Sequence, residues 1–334
     1  MAIKVAINGF GRIGRLTLRA LLESKRTDIE VVAINDLGSS KLNASLLQND
    51  SIHGRLASIV SYDDKGIIVD GKHISVYSER DPTNLPWGTL GIDIVFECTG
   101  LFTARNDAAK HIQAGSKKVL ISGPSGDADL TVVYGINHDK ITADHKVISN
   151  ASCTTNCLAP VADTLNNGIG IQHGYMTTIH SYTGDQKILD AYHKDVRRAR
   201  AAAQSMIPTT TGAAKAVGLV LPELKGKLDG CSIRVPTPNV SVVDLTFVAK
   251  RATTVEEVHS LIKAASQGKL KGVLEYTEDE LVSVDFNHNS HSSIFDATQT
   301  NIIDGTLVRV VSWYDNEWGF SNRMLDTAVA FAKV

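Results

Sequence analysis

The amino-terminal third of the chain alternates short apolar runs with segments of helical periodicity. The run Ile3–Ile7 predicts a buried strand, apolar residues recur at helical spacing from Ile13 to Leu21, and a second β-branched run covers Glu30–Ile34. Runs of the same kind follow at Ile92–Glu97, Lys118–Ser122, Leu130–Tyr134 and Val147–Ser149, with a helix-like segment at Arg105–Ala114. This alternation predicts a parallel sheet with helices on its faces.

The pattern changes after about residue 150. Residues 171–180 and 240–250 form longer strand-like runs, and the second alternates apolar and polar positions, which favours a mixed or antiparallel sheet. Thr253 and Thr254 each have a glutamate three residues later, so a helix is expected to begin at one of them. We therefore expect an α/β protein with a Rossmann-type doubly wound domain, residues 1–151, joined by a carboxyl-terminal helix at 317–334. An α+β domain with the mixed sheet is expected at 152–316.

Composition limits the functional classes. The 334 residues carry a formal net charge of −2, which gives no general attraction for nucleic acid, and no stretch approaches the roughly 20 apolar residues of a membrane span. The start of the chain has no secretory pattern. Four scattered cysteines match neither a disulfide framework nor a zinc site, so no metal is expected. We expect a cytoplasmic protein with reduced thiols that binds neither membranes nor nucleic acid.

A glycine-rich turn lies between the first predicted strand and helix. Gly9, Gly11 and Gly14 fit the spacing G-x-G-x-x-G, in which glycines let the backbone approach a pyrophosphate at a helix amino terminus. Asp36 follows the second strand, 22 residues after Gly14, where a carboxylate can accept hydrogen bonds from a ribose and repel a 2′-phosphate. The turn and the carboxylate together predict a dinucleotide site that favours NAD over NADP.

A second site is predicted around Cys153. The segment from Ser149 to Cys157 follows a strand and leads into apolar residues at helical spacing, which places Cys153 near a helix amino terminus. Such a position is expected to lower the thiol pKa, and His180, at the end of the run 171–179, is the best candidate for a base. A thiolate beside a nicotinamide suggests attack on an aldehyde, followed by oxidation to a thioester.

Several longer motifs then identify a family. The segments are Asn8-Gly9-Phe10-Gly11-Arg12-Ile13-Gly14-Arg15, Ser149 to Cys157, Pro208 to Lys215, Arg234-Val235-Pro236-Thr237-Pro238 and Trp313-Tyr314-Asp315-Asn316-Glu317. Together they resemble the glyceraldehyde-3-phosphate dehydrogenase family from residue 3 to the carboxyl terminus. The resemblance implies oxidative phosphorylation of glyceraldehyde 3-phosphate to 1,3-bisphosphoglycerate by a homotetramer, with NAD as cofactor.

The resemblance also implies the roles of individual residues. Cys153 is the implied nucleophile and His180 its base. Implied cofactor contacts, beyond the glycines, come from Arg12, Ile13, Asp36, Arg80, Ser122 and Asn316. The substrate phosphate is assigned to Thr183 and Arg198, with Asp185 orienting nearby groups, although Arg197 or Arg200 could take the place of Arg198. Inorganic phosphate is assigned to Ser152, Thr154, Thr211, Gly212 and Arg234.

Some positions depart from the family pattern. Ala191-Tyr192 replaces a common Leu-Pro, Gly38 replaces a bulkier residue, and Phe320 replaces a tyrosine. The first two changes predict a weaker preference for NAD over NADP than usual.

Three alternative functions stay open at this stage. Segments such as Asp190–His193 and Leu281–His288 resemble erythrose-4-phosphate dehydrogenase, in which water would release the thioester. A cysteine hydrolase would use Cys153 and His180 but would have no role for the glycine turn. A cofactor-sensing protein would need no thiol.

Overall fold

The computed structural model describes residues 2–334, which divide into two compact units. The first comprises the chain up to Val132, His138–Ala151 and Ser321–Val334, and the second comprises Val133–Asn137 and Ser152–Phe320. Within residues 2–334, none of the helices has the length and apolar character that crossing a membrane would require.

The first unit is built on a mainly parallel sheet. Its strands are β1 (Ile3–Asn8), β2 (Ile29–Asn35), β3 (Asn49–Asp50), β4 (Gly54–Arg55), β5 (Val60–Tyr62), β6 (Gly66–Val69), β7 (Lys72–Tyr77), β8 (Ile94–Glu97), β9 (Lys118–Ile121), β10 (Leu130–Thr131) and β11 (Val147–Ser149). Its helices are α1 (Arg12–Glu23), α2 (Ser40–Gln48), α3 (Trp87–Leu90), α4 (Arg105–Ala108) and α5 (Lys110–Gln113). In the described chain the sheet has the order β10-β11-β9-β8-β1-β2-β7-β6-β5, and β3 pairs separately with β4.

Strand β1 lies at the centre of this sheet. It pairs in parallel with β2 on one side and β8 on the other, so the strand order reverses there. Val5, Ala6 and Ile7 are completely buried, as expected for a strand covered on both faces. The carboxyl ends of strands at such a reversal form the usual ligand crevice of an open α/β sheet. The predicted Rossmann-type arrangement is confirmed.

Two local predictions in this unit were wrong in detail. The strand expected over residues 130–134 is limited to Leu130–Thr131, and the helix expected over 105–114 is two short helices, α4 and α5. The antiparallel strands β5 and β6 add an edge to the sheet that the apolar pattern did not predict. Helix and strand periodicity are hard to separate in segments this short.

The second unit contains a seven-stranded mixed sheet within the described residues. Its strands are β12 (Ile171–Ser181), β13 (Ile207–Thr210), β14 (Leu228–Val235), β15 (Ser241–Ala249), β16 (Leu274–Thr277), β17 (Ser293–Ile303) and β18 (Leu307–Tyr314), and its helices are α6 (Cys153–Gly168), α7 (Ala213–Val220) and α8 (Val255–Gln267). The strand β12 pairs in parallel with β14 and antiparallel with β15. Alternate residues of β15 are buried, which confirms the alternation predicted there. Thr254 caps α8 by accepting a hydrogen bond from the Glu257 N–H, the later of the two predicted positions.

The last helix, α9 (Trp318–Ala332), returns the chain to the first unit from Ser321 onward. Lys118, at the start of β9, donates to the carbonyl oxygens of Phe331 at 2.6 Å and Val334 at 3.1 Å. Its ammonium group also lies 4.6 Å from the centre of the Phe331 ring. One nearly buried lysine thus holds the end of the chain, where helix carbonyls lack backbone partners.

Candidate active site

The glycine turn has the close contacts that its motif requires. Gly9 has a φ of +91°, and a Cβ there would lie 2.7 Å from the Thr99 nitrogen. A Cβ at Gly14 would overlap the carbonyl oxygen of Gly9. A Cβ at Gly11 would meet open space. Helix α1 begins with Arg12 and Ile13, and no side chain caps its amino terminus. The turn therefore has both the room and the helix N–H groups that a pyrophosphate needs.

The Asp36 carboxylate is fixed by the backbone. One oxygen accepts from the Phe10 N–H at 2.9 Å and the other from the Gly38 N–H at 2.8 Å. Asp36 and Arg80 line a pocket with Gly9 and Gly11 at the carboxyl edge of the sheet. Each carboxylate oxygen has a further lone pair, so ribose hydroxyls remain acceptable donors. The residues present fit a dinucleotide.

Arg12 and Ser122, which were also predicted to contact the cofactor, have other side-chain partners in the structure. The Arg12 guanidinium pairs with Asp50, at 2.5 and 3.3 Å, so its side chain is committed to a residue that sequence reasoning missed. Ser122 follows β9 and hydrogen-bonds the Cys98 thiol, whose pKa burial raises to about 12. Ser122 does not line the pocket that contains Asp36.

In the second unit, Cys153 is the first residue of α6. Ser152 caps this helix, its hydroxyl accepting from the Thr155 N–H at 3.0 Å. The Cys153 Sγ lies 3.5 Å from Nε2 of His180, the penultimate residue of β12. The structure therefore brings together the thiol and the base that the sequence predicted.

The tautomer of His180 follows from its other nitrogen. Nδ1 lies 2.7 Å from the Ser181 carbonyl oxygen, which can only accept, and 3.0 Å from Arg234 Nη1, which can only donate. The Arg234 Nη1 also donates to that carbonyl oxygen, and the shorter contact of Nδ1 with the oxygen favours the tautomer with the proton on Nδ1. Nε2 is left with a lone pair directed at the thiol. Burial, and then the charge of Arg234, lower the pKa of His180 to about 3, so the imidazole is neutral at physiological pH.

The thiol itself corrects a sequence-based expectation. Burial raises the pKa of Cys153 above its ordinary value, although Arg234 and the Thr154 hydroxyl act in the opposite direction. The expected lowering at the helix amino terminus is therefore wrong, because desolvation outweighs it. The resting pair is a neutral thiol beside a neutral base.

Three hydroxyl-bearing side chains, to which sequence reasoning assigned no role, position this pair or Asn316. The buried Tyr314 hydroxyl lies 2.8 Å from Thr154 Oγ1 and 2.9 Å from Thr178 Oγ1, joining α6 to β12, and its ring contacts the His180 ring edge-on. Ser181 and Ser241 each donate to Asn316 Oδ1 at 2.9 Å. Two donors on that oxygen fix the amide, so the Asn316 NH₂ group is the part available to a ligand.

A group of basic and hydroxyl side chains extends from this pair. The Arg234 Nη1 donates to the Ser181 carbonyl at 3.0 Å and to Thr183 Oγ1 at 3.4 Å, while its buried Nε has no hydrogen-bond partner. Arg198 donates to Thr209 at 3.0 Å and to Asp185 at 2.8 Å. Of the three candidate arginines in this segment, only Arg198 is partly buried and lowers the pKa of His180.

Four of the five residues assigned to inorganic phosphate are found at two helix starts, and the fifth, Arg234, lies in β14. Ser152 and Thr154 lie at the start of α6, with their hydroxyls in the contacts described above. Gly212 precedes α7, which has no side-chain cap from that residue, and Thr211 accepts from the Ala213 N–H at 3.2 Å. These N–H groups and hydroxyls are donors suited to phosphate oxygens.

Comparison with known proteins decides the family. The family description "Glyceraldehyde 3-phosphate dehydrogenase, NAD binding domain" matches residues 3–105, and "Glyceraldehyde 3-phosphate dehydrogenase, C-terminal domain" matches residues 152–316. The chain belongs to the glyceraldehyde 3-phosphate dehydrogenase family. Members of this family are NAD-dependent dehydrogenases, and so is this protein.

Individual relatives cover the whole chain. The chain is 64% identical to glyceraldehyde-3-phosphate dehydrogenase of Xanthobacter flavus and 63% identical to that of Cereibacter sphaeroides, with all of both chains covered. It is 60% identical to that of Geobacillus stearothermophilus over 99% of each chain. These names support the glyceraldehyde-3-phosphate dehydrogenase reading over the erythrose-4-phosphate alternative.

Proposed function

We propose that this chain carries out its dehydrogenase reaction with Cys153 as the nucleophile and His180 as the base, converting glyceraldehyde 3-phosphate to 1,3-bisphosphoglycerate. The observation that carries this assignment is the contact between Sγ and the unprotonated Nε2, with Nδ1–H held by the Ser181 carbonyl. A neutral imidazole in this orientation can accept a proton from a thiol.

In the first step the sulfur adds to the aldehyde carbon. The S–C bond forms as the C=O π bond opens, the thiol proton passes to His180 Nε2, and His180 then donates that proton to the former carbonyl oxygen to give a thiohemiacetal. His180 then accepts the hydroxyl proton as the thiohemiacetal is oxidised to a thioester. Bound NAD supplies the hydride acceptor for this oxidation. Asn316 presents its NH₂ group to the nicotinamide carboxamide, because its Oδ1 is already bound by two serines.

The thioester is released by inorganic phosphate. A phosphate oxygen attacks the acyl carbon, the C–S bond breaks, and the sulfur takes back the proton held by His180 Nε2, so that the thiol is restored as the acyl phosphate leaves. Arg234, Ser152, Thr154, Thr211 and Gly212 supply donors to this phosphate, whereas Thr183 and Arg198 bind the substrate phosphate. Arg234 contacts Thr183 as well as His180. A residue of the proposed inorganic-phosphate site therefore lies directly beside a residue of the proposed substrate-phosphate site.

The cofactor site favours NAD. Two N–H groups hold the Asp36 carboxylate in place, and a fixed negative charge there repels the 2′-phosphate of NADP. Gly38 adds no side chain beside Asp36, and Ala191-Tyr192 departs from the common pattern, so some use of NADP is expected. In this assignment the first unit is the NAD-binding domain, completed by α9, and the second is the catalytic domain.

A homotetramer is supported by the segment between β12 and β13. Ile188, Leu189, Tyr192 and Met206 are between 72% and 90% exposed, an unusual density of large apolar side chains for a free surface. A second copy of the chain would remove them from water. All four cysteines are free thiols, consistent with a cytoplasmic location.

The test is a reduction assay with purified protein, NAD and glyceraldehyde 3-phosphate, with and without inorganic phosphate or arsenate. Continuous NADH formation is expected only with the acceptor, and it should be abolished in Cys153→Ser. The Cys157→Ser variant is a matched control, because Cys157 is buried one turn further along the same helix. Acceptor-independent turnover that prefers erythrose 4-phosphate would overturn the proposal.

A further inference from the structure

A buried carboxylate lies at the carboxyl edge of the parallel sheet, next to the glycine turn. Glu97, the last residue of β8, is 1% exposed. Its Oε2 accepts from Asn8 Nδ2 at 2.5 Å and lies 3.0 Å from His111 Nε2. Its Oε1 accepts from both the N–H and the hydroxyl of Thr99. Four donors therefore occupy about four lone-pair positions of one carboxylate.

Hydrogen bonds extend from Glu97 to three loops. Asn8 Oδ1 accepts from Asn35 Nδ2 at 2.7 Å. Asn35 in turn accepts from the Glu79 N–H at 2.8 Å and donates to the Glu79 carbonyl at 2.9 Å. Each of these three residues immediately precedes one of the predicted cofactor contacts, which are Gly9, Asp36 and Arg80.

The opposite side of Glu97 is fixed by a histidine and a tryptophan. His111 and Trp87 are completely buried, and the Trp87 indole N–H donates to His111 Nδ1 at 3.0 Å. An indole N–H can only donate, so His111 Nδ1 must accept and Nε2 must carry the proton. His111 therefore donates to Glu97, and its tautomer is determined by Trp87.

We infer that Glu97 is a positioning residue for the NAD site: the carboxylate, held by His111 and Trp87, sets the three loops that carry Gly9, Asp36 and Arg80. This inference rests on the proposed cofactor site. Glu97 acts through Asn8, Asn35 and Thr99, so its contribution is to have the loops ordered before the cofactor binds. A site ordered in advance loses less conformational entropy on binding.

An amide cannot replace this carboxylate. In Glu97→Gln one of the two carboxylate oxygens is replaced by an NH₂ group. In either orientation of the amide, this NH₂ group faces N–H or O–H donors that need an acceptor. Reversing the His111 tautomer to accept from that amide would turn Nδ1–H toward the Trp87 N–H. The substitution keeps the shape of the side chain but leaves at least one buried donor unsatisfied.

The experiment measures NAD affinity of cofactor-stripped Glu97→Gln protein by calorimetry, together with the free energy of unfolding and the rate of Cys153 alkylation without NAD. The matched control is Lys118→Met, which removes buried hydrogen bonds from the opposite, amino-terminal edge of the same sheet. We expect NAD affinity to fall by about tenfold in Glu97→Gln and less than twofold in Lys118→Met. Alkylation should be unchanged in both.

Trp87→Phe is a second variant, which leaves Glu97 intact and removes the donor to His111 together with part of a buried ring. About a threefold loss of NAD affinity is expected. Equal affinity losses in Glu97→Gln and Lys118→Met would overturn the inference, as would unchanged affinity in both network variants. If the wild-type chain bound no NAD, the proposed cofactor site would fail as well. If Glu97→Gln did not fold, Trp87→Phe would decide the matter by the same comparison.

Discussion

The Tyr314 hydroxyl lies 2.8 Å from the Thr154 Oγ1, in the first turn of the helix that carries the nucleophile. The same hydroxyl lies 2.9 Å from Thr178, two residues before the base. The Tyr314 hydroxyl thus sets the distance between the helix that carries the nucleophile and the strand that carries the base, although it takes no part in the reaction.

Removing this oxygen tests its positioning role. In Tyr314→Phe the two threonine hydroxyls lose their shared partner, and we expect kcat to fall by about tenfold while the protein stays folded. Steady-state kinetics and the rate of Cys153 alkylation measure the effect, and both should decrease. Tyr175→Phe changes an exposed tyrosine on β12, the strand that carries Thr178 and His180; it is the control and should behave as wild type. Unchanged kinetics in Tyr314→Phe would contradict the role.

A second prediction concerns Ser181 and Ser241, whose hydroxyls hold the Asn316 amide. In the double variant Ser181→Ala, Ser241→Ala, the Asn316 amide oxygen loses both hydroxyl donors that hold it, so the NH₂ group is no longer presented in one direction. We expect KM for NAD to rise by about fivefold or more, with each single variant showing a smaller effect. Cys153 alkylation in the absence of NAD should be unaffected, and a loss of thiol reactivity would indicate a general disturbance instead.

The Asp36 carboxylate predicts cofactor choice. Asp36→Asn keeps an acceptor but removes the fixed negative charge, so the ratio of kcat/KM values for NAD over NADP should fall by about tenfold or more. The ratio is measured with both cofactors in one assay. Asp64→Asn changes an exposed aspartate elsewhere in the unit and should leave the ratio unchanged. A constant ratio in Asp36→Asn would show that this carboxylate does not discriminate.

The Arg12–Asp50 pair predicts a pH dependence of stability. Burial raises the pKa of Asp50, but the His53 N–H and Arg12 outweigh it and lower the pKa to about 2. A carboxyl with a lowered folded-state pKa contributes stability above its unfolded pKa of about 4 and loses it as the pH falls toward 2. Asp50→Asn should therefore be less stable by about 2 kcal/mol at pH 7, and the difference from wild type should shrink between about pH 4 and pH 2.

Chemical denaturation at several pH values measures this difference. Asp28→Asn provides the comparison, because its carboxylate also pairs with an arginine but is far more exposed. A difference for Asp50→Asn that does not depend on pH would show that the charge of Asp50 is not what stabilises the fold.

Sequence reasoning succeeded where a motif imposes a local geometry. The glycine turn between β1 and α1 follows from residues that must approach other backbone atoms, and Cys153 follows from its place at a helix start. It could not find Tyr314 or Glu97, because their partners are distant along the chain and a single tyrosine or glutamate has no spacing signal. The prediction of a lowered thiol pKa for Cys153 was wrong for a related reason, since burial depends on the packing of the whole unit. The domain boundaries and the ligand roles of individual residues stay predictions.

The hold of Lys118 on the last carbonyls of the chain bears on how the protein folds during synthesis. The first unit takes one of its pieces, Ser321–Val334, from chain that follows the whole of the second unit. The second unit ends at Phe320, so its residues are all made before the parallel sheet can receive α9. The cofactor-binding half, although its first residues are translated first, is therefore the half whose folding has to wait for synthesis of the other.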